Sequence, residues 1–78
     1  MSFRLLFSGD LLTARAAKGW TQPAVADAAL ITLREYQNIE AGRNLPSVET
    51  FLRLVYLFDM DIDHYQKALN SDAPLPLP

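Results

Sequence analysis

The sequence lacks several residues and patterns that mark whole classes of protein. It has no cysteine, three glycines and one histidine among 78 residues. Without cysteine, neither a disulfide framework nor a thiolate metal site can form. The apolar stretch at 51–58 is too short to span a bilayer and contains Arg53. Residues 1–7 carry one arginine without the longer apolar region of a secretory signal. We therefore expect a soluble, cytoplasmic protein that does not enter a membrane.

An excess of positive charge is also missing. Seven Lys and Arg residues oppose nine Asp and Glu residues, which gives a formal net charge of -2. Non-specific affinity for nucleic acid comes mainly from neutralising phosphates, so this balance argues against an indiscriminate polyanion binder. It remains compatible with a domain that has one basic face.

The length and composition predict one small domain. Hydrophobic residues make up 50% of the chain, which is enough for a helical core without covalent cross-links. Prolines cluster at the C-terminal end, where they block a helix. We therefore expect a single domain over residues 1–70 and a proline-rich, loose tail over residues 71–78.

Helical spacing of apolar residues recurs along the chain, and no segment shows sustained alternation with period two. Residues suited to helix ends divide the chain: Thr21, Thr32, Ser47 and Asp61 are candidate N-caps, and Gly19 follows a basic last turn. The pattern predicts a compact all-α domain. Its five helices are expected at residues 6–18, 22–29, 33–41, 48–58 and 62–69. The fourth has an apolar stripe that should face the core, and the fifth should bury Ile62 and Tyr65; the stripe consists of Val48, Phe51, Leu54, Val55 and Phe58.

The third predicted helix has a distinctive outer face. At about 100° per residue, Tyr36 and Ile39 point to the core. The opposite side carries four residues, with Leu33 and Glu35 on its flanks: Arg34, Gln37, Asn38 and Ala41. Arginine can contact guanine in the major groove, and asparagine or glutamine can contact adenine. A polar outer face is equally what a merely solvated helix shows, so composition alone does not establish a site.

A short helix, a tight turn and a second helix with a polar face are the parts of a helix-turn-helix. The stretch TQPAVADAALITLREYQNIEAGRNLPS also resembles the Cro/repressor-type (XRE-type) helix-turn-helix family, over about residues 7–69. The resemblance implies a five-helix, lambda-repressor-like DNA-binding domain. It rests on Leu11, Arg15, Trp20-Thr21-Gln22, Val25-Ala26, Ile31-Thr32, Ile39-Glu40, Gly42, Pro46-Ser47 and Asp61-Ile62.

The resemblance also implies roles for individual residues, with the recognition helix at 33–41. The positions that match base-reading residues are Leu33, Arg34, Gln37 and Asn38. Those that match contacts to the DNA backbone are Gln22, Thr32, Arg43 and Asn44. Arg15 and Glu40 match a structural pair that ties the first helix to the third.

Three positions depart from the family pattern. Leu30 stands where the family has a glycine in the turn, at a position that tends to need positive φ. Leu33 is an unusual first residue for a base-reading helix, although it could touch a thymine methyl group. Glu35 beside the reading face could repel phosphate or accept from a cytosine amine.

A homodimer is a further implication, because family members usually associate through their C-terminal portion. The candidate contact residues are Tyr56, Met60, Tyr65 and Leu69. Core packing is the favoured alternative for these side chains. The N-terminal residues Phe3, Leu5 and Leu6 raise the same choice between folding onto the domain and pairing with a second copy.

Other chemistry is not expected. His64 lies near Asp61 and Asp63, a pattern more typical of a capped, solvated helix start than of a metal site. No phosphate-binding loop or nucleophile motif is present, so neither an enzyme nor a cofactor is predicted. The leading hypothesis is a sequence-specific transcriptional regulator that binds double-stranded DNA. The alternative is a protein-interaction module on the same scaffold, acting as an antitoxin, anti-repressor or adaptor.

Overall fold

The computed structural model describes residues 2–71, and within that range the chain is all-α, without a strand. The prediction of an all-α domain with five helices is therefore confirmed. The helices are α1 (Phe3–Lys18), α2 (Gln22–Ala28), α3 (Leu33–Glu40), α4 (Val48–Leu57) and α5 (Ile62–Ser71). Of the predicted tail, Ser71 ends α5, and residues 72–78 lie outside the described part of the chain.

The helix starts and ends follow local side-chain chemistry. Thr21, Thr32 and Ser47 each accept a hydrogen bond from the backbone N–H three residues later, which satisfies one otherwise unpaired donor of the first turn. Asp61 accepts from the backbone N–H of Asp63 at the start of α5. Gly19 ends α1 with φ 67°, the left-handed conformation that glycine adopts at least cost. These predicted ends are confirmed.

Helix α1 begins earlier than predicted, at Phe3 rather than at residue 6. The reason is aromatic packing: the Phe3 ring lies 5.8 Å from Phe7, 5.6 Å from Phe51 and 5.9 Å from Tyr65, measured between centroids. Offset and edge-to-face aromatic contacts at such distances are favourable. The N-terminal residues therefore extend α1, and Phe3 packs onto α4 and α5 of the same chain, whereas Leu5 is exposed.

The core lies where the five helices meet. Val25 and Ala26 in α2, together with Ala29 directly after it, form a small apolar face, which lets α3 approach closely. The other buried apolar residues are Phe7, Leu11, Tyr36, Ile39, Leu54, Phe58 and Tyr65. Burying a large apolar side chain contributes about 1.5–3 kcal/mol, so these contacts dominate the stability.

Two residues that the helical pattern assigns to the core are exposed. Val48 and Ile62 are the first residues of α4 and α5, where the chain enters each helix at the surface. The expectation that they are buried is therefore wrong. The other stripe residues of α4 are buried or half-buried, as predicted: Phe51, Leu54, Val55 and Phe58.

The candidate dimer residues separate into two groups. Tyr65 is buried, and its hydroxyl donates to Asp10 Oδ2 at 2.6 Å, which ties α5 to α1. Met60 is half-buried and packs against the core. These two residues therefore serve the core rather than an exposed surface. Tyr56 and Leu69 are exposed.

Within residues 2–71, none of the helices combines the length and apolar character needed to cross a membrane.

Candidate nucleic-acid interface

Helices α2 and α3 form the helix-turn-helix, and the turn between them depends on Leu30. This residue has φ 61°, in the left-handed region that leucine adopts at a cost. The Leu30 N–H donates to the Asp27 carbonyl, and the Ile31 N–H donates to the Ala26 carbonyl. The positive φ expected at this position is therefore present, and leucine adopts it here in place of glycine.

Replacing Leu30 with glycine is expected to stabilise the domain by up to about 1 kcal/mol, because it removes the left-handed strain. Little burial is lost, since the Leu30 side chain is largely exposed. Thermal unfolding of Leu30→Gly beside the parent chain measures the effect. Leu12→Gly is the control, because the same exchange at an exposed position inside α1 should destabilise. A clear loss of stability in Leu30→Gly would contradict the strain argument.

The start of α3 is fixed by a capping box. The Thr32 hydroxyl accepts from the Glu35 N–H at 3.1 Å, and the Glu35 carboxylate accepts from the Thr32 N–H at 3.3 Å. The Thr32 hydroxyl also donates to Glu35 Oε1 at 3.1 Å. Glu35 thus holds the helix start, where its negative charge suits the helix dipole. The Thr32 and Glu35 side chains at the start of α3 are therefore hydrogen-bonded to each other.

The outer face of α3 presents a mixed polar and apolar surface. Leu33, Arg34 and Gln37 are exposed, as the helical wheel predicts, and so is Ala41 directly after the helix. Within residues 2–71 the Arg34 guanidinium takes part in none of the ion pairs. The face therefore offers a charged fork, a carboxamide and small or apolar neighbours.

Asn38 is half-buried, unlike its exposed neighbours on the predicted outer face, and it supports the loop after α3. Its carbonyl accepts from the Arg43 N–H at 2.9 Å and from the Asn44 N–H at 3.4 Å. Its side-chain Oδ1 accepts from Arg43 Nη1 at 3.3 Å. Asn38 thereby places Arg43 and Asn44 at the C-terminal end of α3, with both side chains exposed.

The Arg15–Glu40 pair joins α1 to α3. Arg15 Nε donates to Glu40 Oε2 at 2.8 Å, and Arg15 Nη2 donates to Glu40 Oε1 at 2.8 Å. This is a bidentate fork, the geometry in which arginine binds a carboxylate best. Arg15 Nη1 also donates to the Trp20 carbonyl at 3.0 Å, so the connection before α2 is held by the same side chain.

The charge state of this pair is set by competing influences. Burial is the largest influence on the pKa of Glu40 and pushes it upward, but hydrogen bonds led by those from Arg15 outweigh it and leave the pKa below its usual value. The hydrogen bond to Glu40 raises the pKa of Arg15. Burial raises the pKa of Tyr36 beside the pair. Both partners are therefore ionised at neutral pH, and Tyr36 keeps its proton.

Two glutamines extend this pair to the outer face of α3. Gln22 Nε2 donates to Glu40 Oε1 at 3.2 Å, and Gln37 Nε2 donates to Gln22 Oε1 at 3.3 Å. A carboxylate only accepts, so Gln22 must turn its NH₂ toward Glu40 and its oxygen toward Gln37. The orientation of the Gln37 amide follows from that of Gln22. We call Glu40, Gln22 and Gln37 the amide relay.

The relay leaves Gln37 with a defined hydrogen-bonding pattern. Its Nε2 uses one hydrogen toward Gln22, which leaves one N–H and the Oε1 acceptor for another group. An acceptor beside a donor matches N6 and N7 of adenine. The sequence predicted Gln22 and Gln37 as contact residues but not their link, since no local pattern relates side chains on separate helices.

A family model described as helix-turn-helix matches residues 11–64. The matched range includes all of α2, the turn and α3, together with Arg15 and Glu40. No curated protein and no solved structure gave a significant match to the chain.

Proposed function

The chain belongs to the Cro/repressor-type (XRE-type) helix-turn-helix family, and we propose that it is a sequence-specific DNA-binding transcriptional regulator. In this proposal α3 enters the major groove, where Arg34, Gln37 and Leu33 read base edges. The observation that carries it is the exposed outer face of α3, on which the amide relay presets Gln37. If this face only contacted solvent, the Gln37 amide would not have to be held in one orientation through Gln22 and the buried Glu40 carboxylate.

Contacts to the DNA backbone would set the register of α3. Gln22 keeps a second amide hydrogen beyond its bond to Glu40, and Arg43 and Asn44 are exposed in the adjoining loop. These groups lie beside the C-terminal half of α3 and in the loop that follows it, and they suit phosphate oxygens. The Thr32 hydroxyl already bonds to Glu35. A contact from this hydroxyl to the DNA backbone would therefore have to form in addition to the capping bonds.

The test is a selection of bound duplexes from a random pool with the purified full chain. A sequence-specific regulator that acts as a two-fold dimer should enrich a palindrome with half-site centres roughly 34 Å apart. Binding of the enriched duplex should weaken steeply as salt rises. A pool that stays random after repeated rounds would contradict the proposal.

A related prediction concerns Gln22. Gln22→Ala removes the support of the Gln37 amide, so discrimination at the base that Gln37 reads should fall by about 1 kcal/mol. Gln37→Ala should weaken discrimination at the same base pair and at no other. Binding to all single-base variants of the enriched duplex measures both. Effects of the two variants on different base pairs would contradict the relay.

The second candidate function is a protein-interaction module on this scaffold. The net charge of -2 and the exposed apolar residues of α4 favour it, because both suit a protein partner better than a polyanion. Retention on heparin and on mixed duplex DNA at low salt separates the candidates. A regulator is retained and released by salt, whereas an interaction module passes through at every salt concentration.

A further inference from the structure

An apolar pocket, which we call the Trp20 pocket, lies between α2 and the C-terminal end of α4. Its volume is about 180 Å³, and the residues that line it are all uncharged: Trp20, Ala24, Val25, Ala28 and Leu57. An apolar cavity of about 150 Å³ inside a protein is large enough to bind benzene. The Trp20 pocket therefore has the size and the character to take one aromatic ring.

Small residues on α2 leave the pocket open, and one large ring forms its wall. Ala24 and Ala28 lie one turn apart on the same face of α2, and both are exposed. The Trp20 ring packs against Phe58 at 5.4 Å between centroids, yet the residue is still 37% exposed. Part of the indole therefore remains available to a second ring, which aromatic side chains contact favourably in offset or edge-to-face geometry.

A positive charge lies directly beside this wall. Lys18 Nζ is 5.3 Å from the centroid of the Trp20 ring, which is a cation–π contact. Within residues 2–71, Lys18 takes part in none of the ion pairs. None of the residues that line the pocket supplies a counter-charge either. An anion brought by a ligand would therefore complement the ammonium group.

We propose that the Trp20 pocket binds a small aromatic carboxylate, with its ring against Trp20 and its carboxylate at the Lys18 ammonium. The inference goes beyond the proposed function, because DNA recognition does not require such a ligand. The ligand would act as an effector of the domain, and its binding can be measured without DNA.

The chemistry of the pocket selects this occupant over others. Apolar walls do not replace the hydrogen bonds that a small inorganic anion such as phosphate loses on leaving water. A neutral aromatic molecule would leave the Lys18 charge unmatched. A protein partner carries a ring and a carboxylate on one residue only when an aromatic residue ends its chain. Since so few atoms make contact, we expect dissociation constants in the millimolar range.

Benzoate is the probe, and the intrinsic fluorescence of Trp20 is the signal, because the chain contains one tryptophan. Titration of the full chain without DNA, at constant ionic strength, should change the emission saturably. Benzyl alcohol has the same ring without the charge, so it should bind about two- to five-fold more weakly, the effect of one exposed ion pair. A response that grows linearly with benzoate would show only collisions with an exposed indole and would overturn the proposal.

Two variants with matched controls test the ring site and the charge separately. Ala28→Leu fills the pocket and should abolish the saturable response, whereas Ala16→Leu, also exposed but on α1, should respond like the parent. Lys18→Gln should remove the preference for benzoate over benzyl alcohol, and Lys67→Gln on α5 should keep it. Unchanged binding in Ala28→Leu would overturn the proposal, and so would an unchanged preference in Lys18→Gln.

A consequence for DNA binding rests on the proposed function. Lys18 and Trp20 lie just before Gln22, which is proposed to contact phosphate. A carboxylate bound there neutralises a positive charge near the DNA, so benzoate should weaken binding of the enriched duplex, and the duplex should weaken benzoate binding by the same factor. Saturable benzoate binding with unchanged duplex affinity would contradict this coupling. Saturable benzoate binding by a chain that binds no duplex would count against the proposed function alone.

Discussion

Replacing Glu40 with alanine is expected to destabilise the domain by about 3 kcal/mol. The Glu40 side chain is only 6% exposed and accepts two bonds from Arg15 and one from Gln22. Its removal leaves the half-buried guanidinium bonded to the Trp20 carbonyl but without its counter-charge. This loss of stability lies at the low end of the range expected when one partner of a buried ion pair is removed, because water can reach Arg15. Urea unfolding followed by far-UV circular dichroism measures the loss.

Glu40→Gln removes the charge and keeps one accepting oxygen, but its NH₂ group faces a donor, so at least one of the three hydrogen bonds to this side chain is lost as well. The pKa of Glu40 in the folded chain lies below its usual value of 4.5. A lowered carboxyl pKa contributes stability that is complete above the unfolded-state pKa and is lost as the pH falls through the folded-state pKa. The parent should therefore lose more stability than Glu40→Gln on acidification below pH 4.5. A loss of under about 1 kcal/mol in Glu40→Ala would instead place the pair among weak surface contacts.

The helices were predictable because their signals are local. Thr32 and Ser47 cap helices through bonds to the backbone three residues later, so their effect is visible in a short stretch of sequence. The start of α1 was not predictable in this way, because Phe3 joins the helix by packing against aromatic rings in α4 and α5. Only the folded chain brings those rings near Phe3. Val48 shows the converse error: its spacing fits the core stripe, but the helix has barely begun there.

The candidate interface was also predictable only in part. Helical geometry alone predicts that Arg34 and Gln37 face outward, since it fixes the angle of each residue. Resemblance to the family was needed to foresee the positive φ of Leu30. Neither source reveals the amide relay, because it depends on the distance between α2 and α3 and on the acceptor-only chemistry of Glu40.

Arg34→Ala is expected to weaken binding to the enriched duplex by about 1–3 kcal/mol and to relax specificity at one base pair. Arg34 is exposed near the start of α3, where its planar fork can make two bonds to guanine. Removing the fork should cost affinity only where that guanine is present. Titration of the parent and Arg34→Ala against all single-base variants of the duplex measures the loss at each position.

Two further variants distinguish base reading from simple attraction to phosphate. Arg34→Lys keeps the positive charge but not the fork, so it should lose most of the base discrimination while retaining non-specific affinity. Lys67→Ala removes one charge from α5, outside the helix-turn-helix, and it should reduce affinity slightly on every sequence. If Arg34→Ala instead behaves like Lys67→Ala, with an equal loss on all duplexes, Arg34 contacts the DNA backbone. The specificity would then rest on Gln37 and Leu33.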